Sequence, residues 1–275
     1  MNAFKEQCIL LRKHGHTLTE ITQILGRSKT SIFFHIRDIP LDAEKIRAIR
    51  RASGIRIRQY AIARKGKSTR PFKRFEKWTL KMVLLIAHLI FDGEIRNGGI
   101  YNNRSEALIK RVECCMHSIY DFEPTRYKNV LTGVSRVSYY NVELAIFLKQ
   151  KANELVKNIK DMSIHLKREF LRAFFDDEGC MDYRPQSNRR KIRGYQKDVR
   201  ILKIISNLLG DFGIESRVVK PNEVVITGKE NLIKFEREIN FSPGVYINGN
   251  RSNSRWKKHI EKRELLARAI KSFKN

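Results

Sequence analysis

Three consecutive carboxylates close an apolar segment at residues 170–179, which read FLRAFFDDEG. Asp176, Asp177 and Glu178 would stand at the C-terminal end of a helix, where the macrodipole and the unpaired carbonyls already favour cations. Negative charge gathered at that end indicates a positive partner, either a metal ion or an arginine. The alternative is a solvated helix end that Gly179 caps.

A second copy of this segment lies 86 residues earlier, because LIAHLIFDGEI at 85–95 aligns without a gap with LRAFFDDEGCM at 171–181. Apolar residues and an alanine occupy the same places in both copies. Each copy also has an acid directly before a glycine, Asp92 in the first and Glu178 in the second. A repeat at this spacing predicts two structural units of like fold.

The elements that must position these two acids follow each copy in the same order. Alternating segments bounded by turn residues predict strands, and longer segments of helical periodicity predict helices. The first hairpin turns at Asn97-Gly98 and the last at Pro221-Asn222. Each copy therefore reads αββαββα, with four antiparallel strands and helices on one face of the sheet. The fold class is α+β, with a small all-α domain at the N-terminus.

Helical periodicity with a break in it marks residues 3–41. Gly26 ends one predicted helix and Ser28 can cap the start of the next, which carries Ile32 and Ile36 inward. The first helix has one apolar face, formed by Leu18, Ile21, Ile24 and Leu25. The second helix would present outward Arg27, Lys29, Thr30, Ser31 and His35. Two helices joined by a short glycine turn are the helix-turn-helix pattern, which predicts DNA contact; a helix bundle with a solvated basic face is the alternative.

The chain is strongly basic, with 56 Lys and Arg against 29 Asp and Glu and a net charge of +27. Such an excess repels itself in the folded state and indicates a polyanionic partner, with nucleic acid as the leading interpretation. The excess is dense at residues 42–78, which we interpret as a basic helix followed by a tether that tracks phosphates. A solvated linker without specific contacts is the other interpretation of the tether.

Several classes of protein are excluded. The start, MNAFKEQCILLRKHG, has no secretory signal, and the longest apolar run, MVLLIAHLIF at 82–91, is too short to span a membrane. The four cysteines form no CxxC pair, which disfavours zinc fingers and a disulfide framework. We therefore expect a cytoplasmic, nucleoid-associated protein that is neither secreted nor bound to a membrane.

On these motifs the chain resembles the LAGLIDADG homing endonuclease family, in its single-chain form with two motifs, with an added N-terminal helix-turn-helix. The resemblance is strongest in FLRAFFDDEG and in LLGDFGIESRVVKPNEVVITGKENLIKFEREINF. It implies four segments: a helix-turn-helix domain at 1–41, a basic helix and linker at 42–78, and two repeats at 79–160 and 161–275. The two repeats would form a saddle of antiparallel sheets.

The resemblance also implies a metal-dependent catalytic site. The two motif helices would pack side by side, with Ala87 and Ala173 allowing close approach. That packing would bring Asp92 and Glu178 together as the catalytic and metal-binding acids. Mg²⁺ prefers such oxygen ligands and would activate water and neutralise charge on the leaving oxygen. The family's basic residue near the active centre would be Lys149.

Two positions depart from the repeat or from the family pattern. Asp176 stands where the first copy has Ile90, which favours a structural role for Asp176, such as pairing with an arginine. His88 stands where the family often has glycine. In the second repeat, the counterpart of Lys149 is either Lys257 or Lys258.

The concave sheet face would lie in the major groove of duplex DNA, where strand side chains meet base edges. Alternation along β-strand KIRGY places Lys191, Arg193 and Tyr195 on one face. The candidate DNA-binding residues of the two sheets are Arg96, Tyr101, Arg184, Lys191, Arg193, Tyr195 and Arg217.

Three functions fit the sequence. The first is a site-specific double-strand DNA endonuclease that uses Mg²⁺ and acts as a monomer, a pseudo-dimer within one chain. The second is a DNA-binding transcription regulator whose LAGLIDADG-type fold does not cleave. The third is an RNA intron maturase, which the basic surface also permits.

Overall fold

The computed structural model describes residues 3–64, 72–119, 123–247, 256 and 260–273. The chain divides into two compact units, Met1–Ser68 and Thr69–Asn275. The tether predicted beyond the basic helix falls largely on residues 65–71, which lie outside the described part.

The first unit is all helical. Its helices are α1 (Ala3–Lys13), α2 (Leu18–Leu25), α3 (Lys29–Ile36) and α4 (Ala43–Arg64). Thr17 and Glu20 form a capping box at the start of α2, and Gly26 ends α2 with a left-handed φ of 60°. Ser28 caps α3 by accepting from the Ser31 N–H. The predicted helix end at Gly26 and the predicted cap at Ser28 are both present.

A small apolar core holds these helices together. Cys8, Ile21, Ile32 and Ile36 are buried in it, so the predicted inward face of α3 is confirmed. Ile24 is 54% exposed and does not belong to the inward face predicted for α2. The basic segment after Pro40 forms the predicted helix, α4, whose described cationic side chains are mostly exposed.

The second unit contains both repeats. Its helices are α5 (Leu80–Phe91), α6 (Glu106–His117), α7 (Val142–Asn158), α8 (Ile164–Glu178), α9 (Val199–Gly210), α10 (Lys229–Glu238) and α11 (Lys262–Lys271). Its strands are β1 (Gly93–Ile95), β2 (Gly98–Asn103), β3 (Thr125–Lys128), β4 (Ser135–Tyr140), β5 (Gly179–Arg184), β6 (Arg189–Tyr195), β7 (Arg217–Val219) and β8 (Glu223–Thr227). Short 3₁₀ turns stand at Ile159–Asp161 and Pro185–Ser187.

Each repeat forms one four-stranded antiparallel sheet. The strand orders are β1-β2-β4-β3 and β5-β6-β8-β7, so the two sheets have the same topology. The helices between and after the strands complete the predicted αββαββα order in both repeats. The α+β fold class with two equivalent repeats is confirmed, and α11 is an additional helix that the sequence pattern did not reveal.

One continuous core joins the repeats. Helices α5 and α8 pack against each other, and each also contacts the first two strands of its own sheet. Ala87 and Ala173 are fully buried in this core. Phe91 of α5 contacts Phe170 and Phe174 of α8 with ring centroids 5.4 and 5.2 Å apart. The predicted pairing of the two motif helices is therefore seen directly.

Two further features concern the chain as a whole. Within the described residues, no helix has the length and apolar character needed to cross a membrane. The four cysteines are free thiols, with Cys8 and Cys115 buried and Cys114 and Cys180 exposed.

Candidate functional site

The two motif helices end at the predicted acids. Glu178 is the last residue of α8, and Asp92 follows α5 as its C-cap. A side chain is excluded at the next position in each repeat. A Cβ on Gly93 would lie 2.5 Å from the Leu89 Cα, and one on Gly179 would lie 2.4 Å from the Phe175 carbonyl oxygen. The two glycines thus let the chain pass directly from α5 into β1 and from α8 into β5.

The carboxyls of Asp92 and Glu178 both have raised pKa values. Partial burial and the like charge of Asp177 raise the pKa of Asp92 to about 6. Burial and the charges of Asp92 and Asp177 raise the pKa of Glu178 to about 7. Asp92 stays exposed to solvent and Glu178 is half-buried. Negative charge is therefore concentrated at one place without full compensation.

These two acids fit the oxygen-ligand chemistry of a divalent cation. Carboxylates whose pKa is raised by burial and by neighbouring negative charge gain most from a cation between them. Mg²⁺ accepts a small number of carboxylates and takes its other ligands from water or phosphate. In the described parts of the chain, no group of three or more His, Cys, Asp and Glu side chains has the arrangement of a complete metal site. Asp92 and Glu178 are thus two candidate ligands rather than a complete set of such side chains.

Asp177 belongs to a different environment, because its side chain is fully buried. The Tyr101 hydroxyl donates to Asp177 Oδ1 over 2.6 Å, and His88 Nδ1 lies 2.8 Å from Asp177 Oδ2. Both partners come from the first repeat, so Asp177 joins the two repeats. The other ring nitrogen of His88, Nε2, is buried without a hydrogen-bond partner.

Tyr101 requires a correction, since it was predicted to contact DNA. The residue is fully buried, and its ring packs edge-on against His88 with centroids 5.4 Å apart. Its hydroxyl serves Asp177 inside the protein. Strand alternation could not reveal this, because Gly98, Gly99, Ile100 and Tyr101 of β2 are all buried and both faces of the strand are covered.

Asn103 connects the buried pair to the site. Its amide nitrogen donates to Asp92 Oδ2 over 2.9 Å and to the Tyr101 hydroxyl oxygen over 3.1 Å. A continuous hydrogen-bonded path thus runs from Asp92 through Asn103 and Tyr101 to Asp177. Asn103 was not predicted, and the only signal for it in the sequence is its place two residues after Tyr101, on the same face of β2.

Asp176 has the arginine partner that the sequence analysis expected. The Arg111 guanidinium lies 3.0 Å from Asp176 Oδ2, and the Ser242 backbone N–H donates to Asp176 Oδ1 over 2.8 Å. The Asp176 side chain is fully buried. Arg111 comes from α6 of the first repeat, so this ion pair also ties the repeats together.

A buried lysine lies at the end of α8. The Lys262 ammonium, at the start of α11, donates to the Asp176 carbonyl oxygen over 2.6 Å and lies 3.4 Å from that of Phe175. It supplies the positive charge that a helix C-terminus favours. Burial lowers the pKa of Lys262, and the charge of Asp176 opposes that effect. The predicted candidates Lys257 and Lys258 lie outside the described residues.

The second sheet presents its predicted residues on one face. Ile192 and Gly194 of β6 face the core, while Lys191, Arg193 and Tyr195 alternate with them on the other side. Arg193 is engaged by Glu223 through both its Nε and its Nη2.

Acidic residues also hold other arginines of this face. Arg184 Nε donates to Asp182 Oδ1 over 2.9 Å, while Arg189 and Arg193 approach Asp182 Oδ2 at 3.6 and 3.7 Å. Arg217 of the edge strand β7 is exposed. This face is basic, but the guanidinium groups of Arg184, Arg189 and Arg193 have partners within the protein.

The remaining predicted residues lie as follows. Arg96 is exposed in the turn between β1 and β2, and Lys149 is exposed on α7. In the first unit Arg27, Lys29, Thr30 and Ser31 are exposed, although the Ser31 hydroxyl lies 2.8 Å from that of Ser28. His35 was predicted to face outward, and this is corrected: it is half-buried, with its ring edge-on to Phe4 at 5.5 Å.

Comparison with known proteins gives one family match and several structural likenesses. Residues 165–240 match the family described as LAGLIDADG-like domain. No curated protein matches the chain. Mesophilic variants of the homing endonuclease I-DmoI share 15% identity over 60% of this chain and 94% of theirs, with a TM-score of 0.45.

Two other solved structures have similar sequence identities and TM-scores. I-DmoI in complex with DNA and Mn shares 16% identity over 58% of this chain and 96% of its own, with a TM-score of 0.45. Full-length DUF199/WhiA from Thermatoga maritima shares 14% identity over 73% of this chain and 63% of its own, with a TM-score of 0.44.

The matched segment includes Glu178 and all four strands of the second sheet. Its helix α8 pairs with α5, which carries the other copy of the motif. Residues 165–240 match a LAGLIDADG-like domain, and the resemblance to the LAGLIDADG family predicted from the sequence is confirmed over this segment.

Proposed function

We propose that this protein is a site-specific double-strand DNA endonuclease that depends on a divalent metal ion, with Mg²⁺ as the physiological ion. The observation that carries the proposal is the pair Asp92 and Glu178, one from the end of each motif helix. Burial and nearby negative charge raise the pKa of both, and the charge of Asp92 contributes to the shift of Glu178. Stabilising two such carboxylates in their ionised form calls for a cation.

The chain's own residues have distinct tasks in this proposal. Asp92 and Glu178 would hold the metal by their carboxylate oxygens, and Asn103 orients Asp92 by donating to its Oδ2. A bound divalent ion would supply Lewis-acid stabilisation of charge on the scissile phosphate and a more acidic water. Lys149 would add positive charge near the phosphate.

DNA binding would use both units. In the second unit the basic sheet face would contact the duplex through Arg184, Lys191, Arg193, Tyr195 and Arg217, with Arg96 from the first sheet. Arg184 and Arg193 would exchange Asp182 and Glu223 for phosphates or base edges. In the first unit Arg27, Lys29, Thr30 and Ser31 would contact a second stretch of the same duplex. One chain would suffice, because it contains both repeats.

The test is cleavage of a pool of random-sequence circular duplexes with Mg²⁺, followed by sequencing of the broken ends. The wild-type protein is expected to cut at a recurrent sequence. Asp92→Asn and Glu178→Gln should abolish cutting while leaving DNA affinity within a factor of about two, because neither change removes a cation that binds phosphate. Glu94→Gln is the matched control, since Glu94 is an exposed acid on β1, two residues beyond Asp92. Binding to DNA without any strand breakage would refute the endonuclease.

A second candidate is a transcription regulator that binds DNA without cutting it. The exposed basic α3 of the first unit favours it, because such a unit alone can direct a protein to a chosen site. The two candidates separate in a cell in which the chain represses or activates a reporter. A regulator keeps its effect when Asp92→Asn and Glu178→Gln are combined, and an endonuclease loses it.

A further inference from the structure

Helix α3 carries two phenylalanines on its outer surface. Phe33 is 49% exposed and Phe34 is 62% exposed, although the unit buries Ile32 and Ile36 of the same helix. Their rings meet edge-on with centroids 6.4 Å apart and form one apolar patch. We call Phe33 and Phe34 the aromatic pair.

The aromatic pair lies on the helix face that would enter a groove. Positions 30, 33, 34 and 37 share one side of an α-helix, because residues three and four apart are neighbours. Thr30 precedes the pair on this side, and the exposed Arg37 follows it. The core residues Ile32 and Ile36 lie on the opposite side. The pair is therefore presented outward by the same packing that fixes the helix.

The charge around the aromatic pair selects a polyanion as its partner. No acidic residue occurs between Glu20 and Asp38, whereas the cations Arg27, Lys29 and Arg37 flank the pair in sequence and are exposed. If the pair bound a second copy of this chain, the cations near it would repel the strongly basic surface of that copy. A DNA duplex instead offers phosphates to the cations and apolar groups in its major groove to the rings.

The apolar group in the major groove is the thymine C5 methyl. It is the one base feature there that a phenylalanine recognises by contact, while hydrogen-bonding side chains read the rest. We infer that Phe33 and Phe34 read thymine methyl groups, so that α3 selects duplex sites with thymine at the positions they face. This inference rests on the proposed DNA binding by the first unit and is independent of cleavage by the second.

The test replaces thymine by deoxyuridine, which lacks only the methyl group. The full-length protein is first used to select duplexes from a random pool, and the selected site is footprinted. The footprint is then repeated with the double variant Arg27→Ala and Lys29→Ala. The protection that this variant loses marks the part of the site covered by α3. Thymines in that part are then changed to deoxyuridine, and the dissociation constant is measured for each duplex.

The wild-type protein is expected to bind about fourfold more weakly for each contacted thymine that loses its methyl, as the burial of one such group implies. Phe33→Ala combined with Phe34→Ala should weaken binding to the thymine duplex and make the protein indifferent to the exchange. Leu10→Ala is the control, because Leu10 on α1 is 56% exposed, similar to the pair. It should leave the full discrimination in place.

Three results would overturn the inference. The wild-type protein could bind both duplexes equally, or the phenylalanine double variant could keep the discrimination. Alternatively, the double variant could bind the thymine duplex normally while losing self-association, which would identify the pair as a protein contact. If Arg27→Ala with Lys29→Ala removes no part of the footprint, DNA binding by the first unit fails, and cleavage by Asp92 and Glu178 is still tested separately.

Discussion

Single residues of the acid triplet at the end of α8 stand in three different environments. Asp176 pairs with Arg111, Asp177 accepts hydrogen bonds from Tyr101 and His88, and Glu178 faces Asp92. The first two side chains are fully buried and link the repeats, and only the third is open to a ligand. The triplet therefore combines a structural anchor with half of a candidate metal site.

Removing Arg111 should destabilise the protein strongly. Arg111→Met leaves the buried Asp176 carboxylate without its ion-pair partner, and such a loss costs about 3 kcal/mol of unfolding free energy. Arg126→Met is the control, because Arg126 pairs with Glu106 and Glu113 at the surface, where ion pairs contribute about 1 kcal/mol or less. Denaturant unfolding of the two variants measures the difference. Equal losses would show that the Asp176 pair is not a buried anchor.

Glu178→Gln should stabilise the metal-free protein at high pH. Folding raises the pKa of Glu178 from 4.5 to about 7, so the folded state binds the proton more tightly than the unfolded chain. The free energy of unfolding of the wild type therefore falls as pH rises across this interval. The glutamine variant does not suffer this loss, and we expect it to be more stable by on the order of 1 kcal/mol above the folded pKa, after allowance for solvent screening.

Thermal unfolding of both proteins in a chelator, at a pH below 4.5 and at one above the folded pKa, tests this expectation. The two curves should nearly coincide at low pH and separate at high pH. A variant that is less stable than the wild type at high pH would contradict the raised pKa of Glu178 in the folded state.

At the scale of elements, α5 and α8 cross with corresponding positions in contact. In the alignment of the two motifs, His88 is equivalent to Phe174, and Phe91 is equivalent to Asp177. The structure shows His88 bonded to Asp177 and Phe91 packed on Phe174, so one crossing is polar and its counterpart is aromatic. In the polar crossing, His88 gives the buried Asp177 carboxylate a hydrogen-bonding partner that the aromatic crossing does not offer.

Strand β6 depends on close approach to α8 at one glycine. A Cβ on Gly194 would lie 2.4 Å from Phe174 Cε1, and Phe174 is fully buried and cannot swing away. We expect Gly194→Ala to reduce the free energy of unfolding by about 1–3 kcal/mol through overpacking. Gly210→Ala is the control, because no atom lies within 4 Å of its Cβ and the residue ends α9. Chemical denaturation should show that only the first change is harmful.

The order of helices and strands could be predicted from the sequence, but the hydrogen-bonding partners of the buried polar groups could not. Asp92 and Glu178 could be placed at helix ends because each precedes a glycine at which the periodicity changes from helix to strand. The contacts of Asp177 with His88 and Tyr101 join residues 89 and 76 positions apart, and no local pattern encodes such pairings. Lys262 was missed for the same reason, since its burial depends on where α11 docks.

The whole molecule combines a strong positive charge with two units that could each contact DNA. The net charge of +27 predicts affinity for duplexes that is largely electrostatic and falls steeply with salt. We expect Arg27→Ala with Lys29→Ala to reduce the slope of log Kd against log salt concentration by about two, because two phosphate contacts are lost. Fluorescence anisotropy over a salt series measures the slope. An unchanged slope would exclude these two residues from the interface.

In the proposed function, one carboxylate from the end of each motif helix contributes to a single cation site, and everything else about cleavage depends on that site. It is tested most directly by Mn²⁺ binding to the protein–DNA complex, followed by electron paramagnetic resonance, in wild type, Asp92→Asn, Glu178→Gln and the Glu94→Gln control. The site predicts at least about tenfold weaker Mn²⁺ binding in each of the first two variants and no change in the control. Wild-type affinity for Mn²⁺ in Asp92→Asn or in Glu178→Gln would contradict it.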